Sequence, residues 1–115
     1  KLKDAFVSSD AKAVKKAAEP ALTSLKVVDI KQTKGKAHEA WFLYSEDIKS
    51  ALQSISKANS IEKQREAFSK LNDVMYFAVK NFNPKGSKVY YQFCSMAFND
   101  TGGYWFSTEE KIMNP

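Results

Sequence analysis

The chain has one cysteine, Cys94, one histidine, His38, and one arginine, Arg65. A lone thiol excludes an intramolecular disulfide and leaves Cys94 as a buried thiol, a reactive one or a metal ligand. A lone imidazole excludes an H-E-x-x-H zinc pair and leaves no second imidazole to activate a nucleophile. There is no G-x-x-x-x-G-K phosphate loop and no G-x-S-x-G elbow, and a Cys94–His38 dyad has no local signature. Glu109 and Glu110 are neighbours on a predicted helical turn, splayed apart, and read as first-turn acids favoured by the helix dipole. The chain therefore reads as a non-enzyme, with no catalytic residue to name. The 18 Lys+Arg comprise seventeen lysines and Arg65. Base-specific readout leans on the guanidinium fork, so no specific nucleic-acid partner is expected.

No apolar run approaches the length needed to cross a bilayer, and no segment has the shape of a signal peptide. The chain starts at Lys1 without a methionine, which leaves room for a leader or a membrane or lipid anchor upstream. A length of 115 residues with 43% hydrophobic and 13% aromatic content is enough for one compact domain with a real core. The net charge of +5 favours acidic partners in general without choosing among them, and a solvated basic surface is the simpler account of it.

Helical periodicity dominates the first two thirds of the chain. KLKDAFVSS reads as a short helical segment that docks Leu2, Ala5 and Phe6 on a bundle. From Asp10 to about Lys26, Val14, Ala17, Ala18, Ala21, Leu22 and Leu25 recur at three- and four-residue spacing. Ser9 or Asp10 caps that helix, and Pro20 is expected to kink it near Lys16 and Ala17. VVDIKQTKGKA reads as a connection. A second long stripe follows, through Ala37, Ala40, Trp41, Tyr44, Ile48, Ala51, Leu52 and Ile55. NSIE then suggests a capping box, with Asn59 as the cap and Glu62 reaching back. The third stripe, Ala67, Phe68, Leu71, Val74, Met75, Ala78, Val79 and Phe82, ends at NFNPKG through Asn83, Pro84 and Gly86.

After Gly86 the texture changes. KVYYQFC and GGYWFS are rich in β-formers, and NDTGG between them has turn chemistry, so a hairpin or a pair of extended segments is expected. Ser107 and Glu110 have capping-box spacing, which predicts a brief helical turn over STEEKIM. The expected fold is mainly α: an antiparallel helical bundle over about 1–83, with a short β-hairpin-like aromatic extension over about 84–115, forming a single domain 1–115. Two strands alone are marginal in water, so the extension should pack on the bundle.

Residues 90–107 concentrate seven aromatics, Cys94 and Met96. In a strand, positions two apart project from one face, so both sulfurs are expected to converge on one point. Thiolate plus thioether suits Cu(I) or Ag(I) far better than magnesium or calcium. His38, at the edge of its helix's apolar stripe, is a candidate third ligand, and Met75 and Met113 are further sulfur donors. Burial accounts for the same residues without a ligand: cysteine is often buried, methionine fills gaps, and a lone histidine commonly serves as a hydrogen-bond donor. The rings can stack on bases beside lysines or cover the bundle, and burial is the simpler account.

The stretch YYQFCSMAFNDTGGYWFSTEEKIMNP, following helices that carry AHEAW and EKQREAFSKL, resembles an uncharacterised domain of Gram-negative envelope proteins. That domain occurs alone or attached to CusB-type periplasmic adaptors of copper and silver efflux pumps. The family pattern is C-P-M-A, a turn, G-x-x-W-[LF]-S and then I-x-N-P. Cys94, Met96 and Ala97 match its first part, Gly102, Trp105, Phe106 and Ser107 its second, and Ile112, Asn114 and Pro115 its third. Ser95 departs from the proline, and the pattern's trailing aromatic-Gly segment, Met and Cys-Gly fall beyond Pro115. The resemblance implies a periplasmic or envelope domain that binds or delivers Cu(I) or Ag(I) for efflux through Cys94 and Met96, with His38 the third candidate ligand from its place on the helix. The alternative is a metal-free module that docks an envelope or efflux-pump partner through its aromatic face.

Overall fold

The computed structural model describes residues 1–28, 34–82, 85–86 and 88–115. Four helices, α1 (Leu2–Val7), α2 (Ala11–Val27), α3 (Lys36–Lys57) and α4 (Ile61–Phe82), precede two strands, β1 (Tyr90–Cys94) and β2 (Gly103–Ser107). The expected mainly α bundle with a C-terminal hairpin is what forms. Much of the VVDIKQTKGKA connection and the helix end at Asn83 and Pro84 fall outside the described residues.

Local chemistry sets the helix starts. Asp10 has extended backbone and its carboxylate accepts the N–H groups of Lys12 at 2.9 Å and Ala13 at 3.1 Å, satisfying two orphan amides of the first turn. The helix stays unbroken across Pro20, which deprives the Lys16 carbonyl of its usual donor. At α4 the expected cap shifts by one residue. The Ser60 hydroxyl accepts the Lys63 N–H at 3.3 Å and the Ser60 carbonyl accepts the Gln64 N–H at 3.0 Å. Asn59 is instead drawn into a tertiary bond, accepting from Lys15 Nζ at 2.8 Å.

The three long helices form an antiparallel up-and-down array. Lys15 and Asn59 tie the start of α2 to the end of α3, while Trp41 meets Phe82 edge-on at 5.6 Å, joining the start of α3 to the end of α4. Gln64, 0% exposed, stitches the junction at the closed end. Its Nε2 donates to the carbonyls of Ala11 at 3.0 Å and of Ile55 and Ala58 at 3.4 Å, two of which belong to the end of α3.

The core is concentrated toward that end. Phe6, Val14, Ala18, Ile48, Leu52, Ile55, Phe68 and Leu71 are buried together, and Phe6 stacks on Phe68 at 4.5 Å. Each large side chain of this kind contributes about 1.5–3 kcal/mol by leaving water. Trp105 of β2 belongs to the same cluster at 3% exposure, so bundle and hairpin share one core.

β1 and β2 pair antiparallel, with Tyr91 opposite Phe106, Gln92 opposite Trp105, Phe93 opposite Tyr104 and Cys94 opposite Gly103. Alternation then sorts the side chains. Gln92, Trp105 and Ser107 turn inward and are buried, while Tyr91, Phe93 and Tyr104 are exposed. The helical turn expected after Ser107 does not form. Ser107 Oγ accepts the Glu109 N–H at 3.0 Å in a tight side-chain turn, and Gln92 Nε2 takes up the carbonyls of Glu109, Glu110 and Lys111 at 3.0, 3.1 and 3.3 Å. Carbonyls captured by a tertiary donor are held in a bent segment over 108–111 rather than in helical bonds.

Candidate functional site

The sulfurs sit at the closed end of the hairpin, where the chain leaves β1. The strand ends at Cys94, and Met96 already has φ −86° and ψ −6°, so the alternation that would aim both side chains from one strand face stops short of Met96. That expectation is corrected: the chain reverses at Ser95 and Met96, and Met96 is 76% exposed. The two residues nevertheless line one cavity of about 400 Å³, with Arg65, Trp105, Asn114 and Pro115 among its walls. Cys94 is half-buried, and Asn114 Nδ2 donates to its Sγ at 3.5 Å.

His38 lies elsewhere. It occupies the first turn of α3, whose Trp41 packs on Phe82 at the end of α4, whereas the sulfur cavity is lined by Arg65 and Phe68 near the start of α4. From Phe68 to Phe82 a helix rises roughly 21 Å, so the fold does not bring His38 to the sulfurs. Met75 lines a different, larger cavity beside Trp41 and Phe82. Among the described residues no group of three or more His, Cys, Asp or Glu side chains is placed to hold a metal ion.

The turn beside the sulfurs is strained. Phe98, Asn99 and Asp100 all have left-handed backbone, with φ of 53°, 56° and 64°. Asn and Asp tolerate that region, but for phenylalanine it is a genuine outlier. Thr101 Oγ1 donates to the Phe98 carbonyl at 2.7 Å and the Gly102 N–H to that of Ala97 at 2.9 Å, which holds the turn closed. Gly102, at φ +88°, has no room for a side chain: a Cβ there would lie 2.7 Å from the Phe93 ring.

On the outer face of the hairpin the aromatic residues form a continuous ladder. Tyr76 of α4 lies 5.0 Å from Tyr91, Tyr91 stacks on Tyr104 at 5.0 Å and 10°, and Phe93 meets Tyr104 at 4.5 Å. Cross-strand aromatic pairs of this kind stabilise a sheet. Their outer surfaces stay in water all the same, with Tyr91 38%, Phe93 46% and Tyr104 47% exposed. Partial burial pushes the Tyr91 phenol above its ordinary value, and the negative charge of Asp73, then Tyr104 and Tyr76, act in the same direction.

Polar residues that carry no pattern in the sequence fasten the site to the bundle. Arg65 donates from Nε to the Pro115 carbonyl at 3.3 Å and from Nη2 to Ser9 Oγ at 2.9 Å, so the solitary arginine ties the tail to the α1–α2 link. Gln92 Oε1 accepts the Trp105 indole N–H at 2.9 Å. Buried glutamine and asparagine find partners that are distant in sequence, and helical or strand periodicity gives no signal for them.

Residues 1–87 match the family model described as "Protein of unknown function (DUF3347)". The chain belongs to that family. The DUF3347 match covers the helical bundle and stops short of β1, so the hairpin, Cys94 and Met96 lie outside it. No curated protein and no solved structure matches the chain. No helix of the described residues is long and apolar enough to cross a membrane.

Proposed function

We propose that this DUF3347 domain binds or delivers a soft monovalent metal, Cu(I) or Ag(I), in the periplasm or envelope, as cargo for heavy-metal efflux. The observation that carries the reading is that Cys94 and Met96 line one cavity walled by Trp105 and Phe98. A thiolate and a thioether beside largely apolar walls suit a soft monovalent ion. Two sulfurs are an incomplete donor set. Pro115 lines the same cavity, and in the pattern that the resemblance implies, a further Met and Cys follow the Asn-Pro step and would start from its rim. The strained turn at Phe98 is in keeping with this reading, since such outliers gather at working sites. His38, at the start of α3, is not part of this donor set.

The test is a Cu(I) chelator competition under reducing, oxygen-free conditions, with residues 1–115 and with a longer form that appends a Met- and Cys-bearing segment of the family pattern after Pro115. The expected result is competition with a weak chelator that Cys94→Ser abolishes and Met96→Leu weakens, and a tighter complex in the longer form. If Cys94→Ser and Met96→Leu bind as well as the parent, the metal reading is wrong.

A second reading, metal-free docking of an envelope or efflux partner through the aromatic face, draws on a separate observation: the exposed ladder Tyr76–Tyr91–Tyr104–Phe93. Contiguous exposed apolar surface commonly marks an interaction site. This reading requires no contribution from Cys94.

A further inference from the structure

Among the described residues the sheet has two strands, and its two outer edges differ. On β2 the edge is engaged, because the Phe106 N–H points out of the pair and is taken by Asn72 Oδ1 at 3.0 Å. In an antiparallel pair an outward N–H on Phe106 makes Phe106–Tyr91 a non-hydrogen-bonded site, and Tyr104–Phe93, two residues along, another. The N–H and C=O groups of Tyr91 and Phe93 therefore face away from β2. Among the described residues nothing hydrogen-bonds to them. The C-terminal tail does not fill this edge, since its contacts are with the inward side chains of Gln92 and Cys94.

An unpaired edge is a template for a further strand. Here it coincides with the exposed rings of Tyr91 and Phe93, so backbone groups and apolar surface are offered by the same residues. Charge indicates the kind of strand. Lys88 Nζ lies 5.2 Å from the Tyr90 ring at the start of β1 and Lys80 Nζ lies 5.8 Å from the Tyr76 ring that begins the ladder. Asp73 is the acid that bears on this face, and the chain as a whole carries +5.

We infer that the outer edge of β1 takes up an extended, acidic segment of a partner protein as a third strand, with alternate apolar side chains of that segment laid on the Tyr91 and Phe93 rings. The inference rests on the metal-free docking reading and adds its mode. Main-chain hydrogen bonds would supply affinity and the ring surface selectivity, as in other cases of strand addition. A second copy of this chain is a poorer occupant, because two chains that each carry +5 repel one another.

The probe is a library of random peptides selected against the intact chain. The expected outcome is enrichment of peptides that alternate apolar residues and carry Asp or Glu, binding equally well to Cys94→Ser and without added metal. Phe93→Pro removes the outward N–H without touching the β1–β2 ladder, a position where an edge strand tolerates proline. It should weaken a selected peptide at least about tenfold relative to Phe93→Ala, which loses the ring alone. Should Phe93→Pro not fold, amide exchange at Tyr91 and Phe93 in the parent chain decides, with marked slowing expected on peptide binding. If Tyr104→Ala weakens binding but Phe93→Pro equals Phe93→Ala and the two amides stay unprotected, docking stands and strand addition fails. If no acidic alternating peptide is enriched, both fail. Self-association lost in Phe93→Pro would assign the edge to a second copy and overturn the partner.

Discussion

Asn72 joins the fourth helix to the second strand: its Oδ1 accepts the Phe106 N–H at 3.0 Å while its Nδ2 donates to the Phe68 carbonyl at 2.7 Å. At 3% exposure it is a polar residue held in the core by two backbone partners. Asn72→Leu removes the acceptor and leaves the Phe106 N–H facing an apolar side chain. The expected cost is about 1–3 kcal/mol in urea unfolding, the penalty of one buried orphan donor. The tryptophan emission should also shift to the red as the hairpin loosens over Trp105. A loss below about 0.5 kcal/mol would mean that water or another group replaces the bond.

Trp105 carries two loads that substitutions can separate. Its ring fills the shared core, and its indole N–H donates to Gln92 Oε1 at 2.9 Å. Trp105→Phe keeps much of the apolar body and strands the Gln92 oxygen, for an expected loss of about 1–3 kcal/mol. Trp105→Ala empties the site and should cost about 3–5 kcal/mol. Equal losses from the two would show that the hydrogen bond, not the packing, holds the hairpin. Because Gln92 also grips three carbonyls of the tail, both variants should speed amide exchange at residues following Ser107.

What could be read from the sequence followed from periodicity and local chemistry. The stripes through Val14 and Ala18, Ile48 and Leu52, and Phe68 and Leu71 mark faces that are buried in the structure, and Asp10 caps where its residue type says it should. Asn59 and Ser60 are both good caps one residue apart, and only the tertiary bond from Lys15 to Asn59 decides between them. The placement of Met96 was not legible, because the end of a strand depends on where the chain reverses. Here the reversal begins at Ser95, ahead of the NDTGG segment, and runs into that segment through left-handed Phe98, a residue that no turn rule would choose. Gln64, Asn72 and Gln92 read as surface residues on composition alone; their burial depends on carbonyls and amides supplied by other elements.

Pro20 sits on the exposed side of α2 inside an otherwise regular helix. It supplies no N–H to the preceding turn and crowds that turn's carbonyl. Pro20→Ala restores the bond at a site with no core contact to lose. The expected gain is about 1–3 kcal/mol, the upper figure being the full propensity difference in an unstrained helix. Thermal unfolding followed by circular dichroism would report it as a raised midpoint at unchanged helix content. A fall in stability would mean that α2 bends at this point in a way its partners require.

Tyr91 occupies the centre of the ladder, stacked on Tyr104 and close to Tyr76, with burial first and the Asp73 charge second holding its phenol in the protonated form. A pKa raised on folding means that the folded chain binds this proton more tightly than the unfolded chain, whose tyrosine titrates near 10. The associated stability is complete below that unfolded value and is lost as pH rises through the folded pKa. Phenolate absorbance should accordingly show one of the five tyrosines titrating late, and Tyr91→Phe should remove that late step. Asp73→Asn, which takes away a negative charge but not the burial, should move the step down toward the ordinary range without abolishing the displacement. Were Asp73→Asn to leave the late step in place while Tyr104→Phe removed it, ring packing and not charge would govern the phenol.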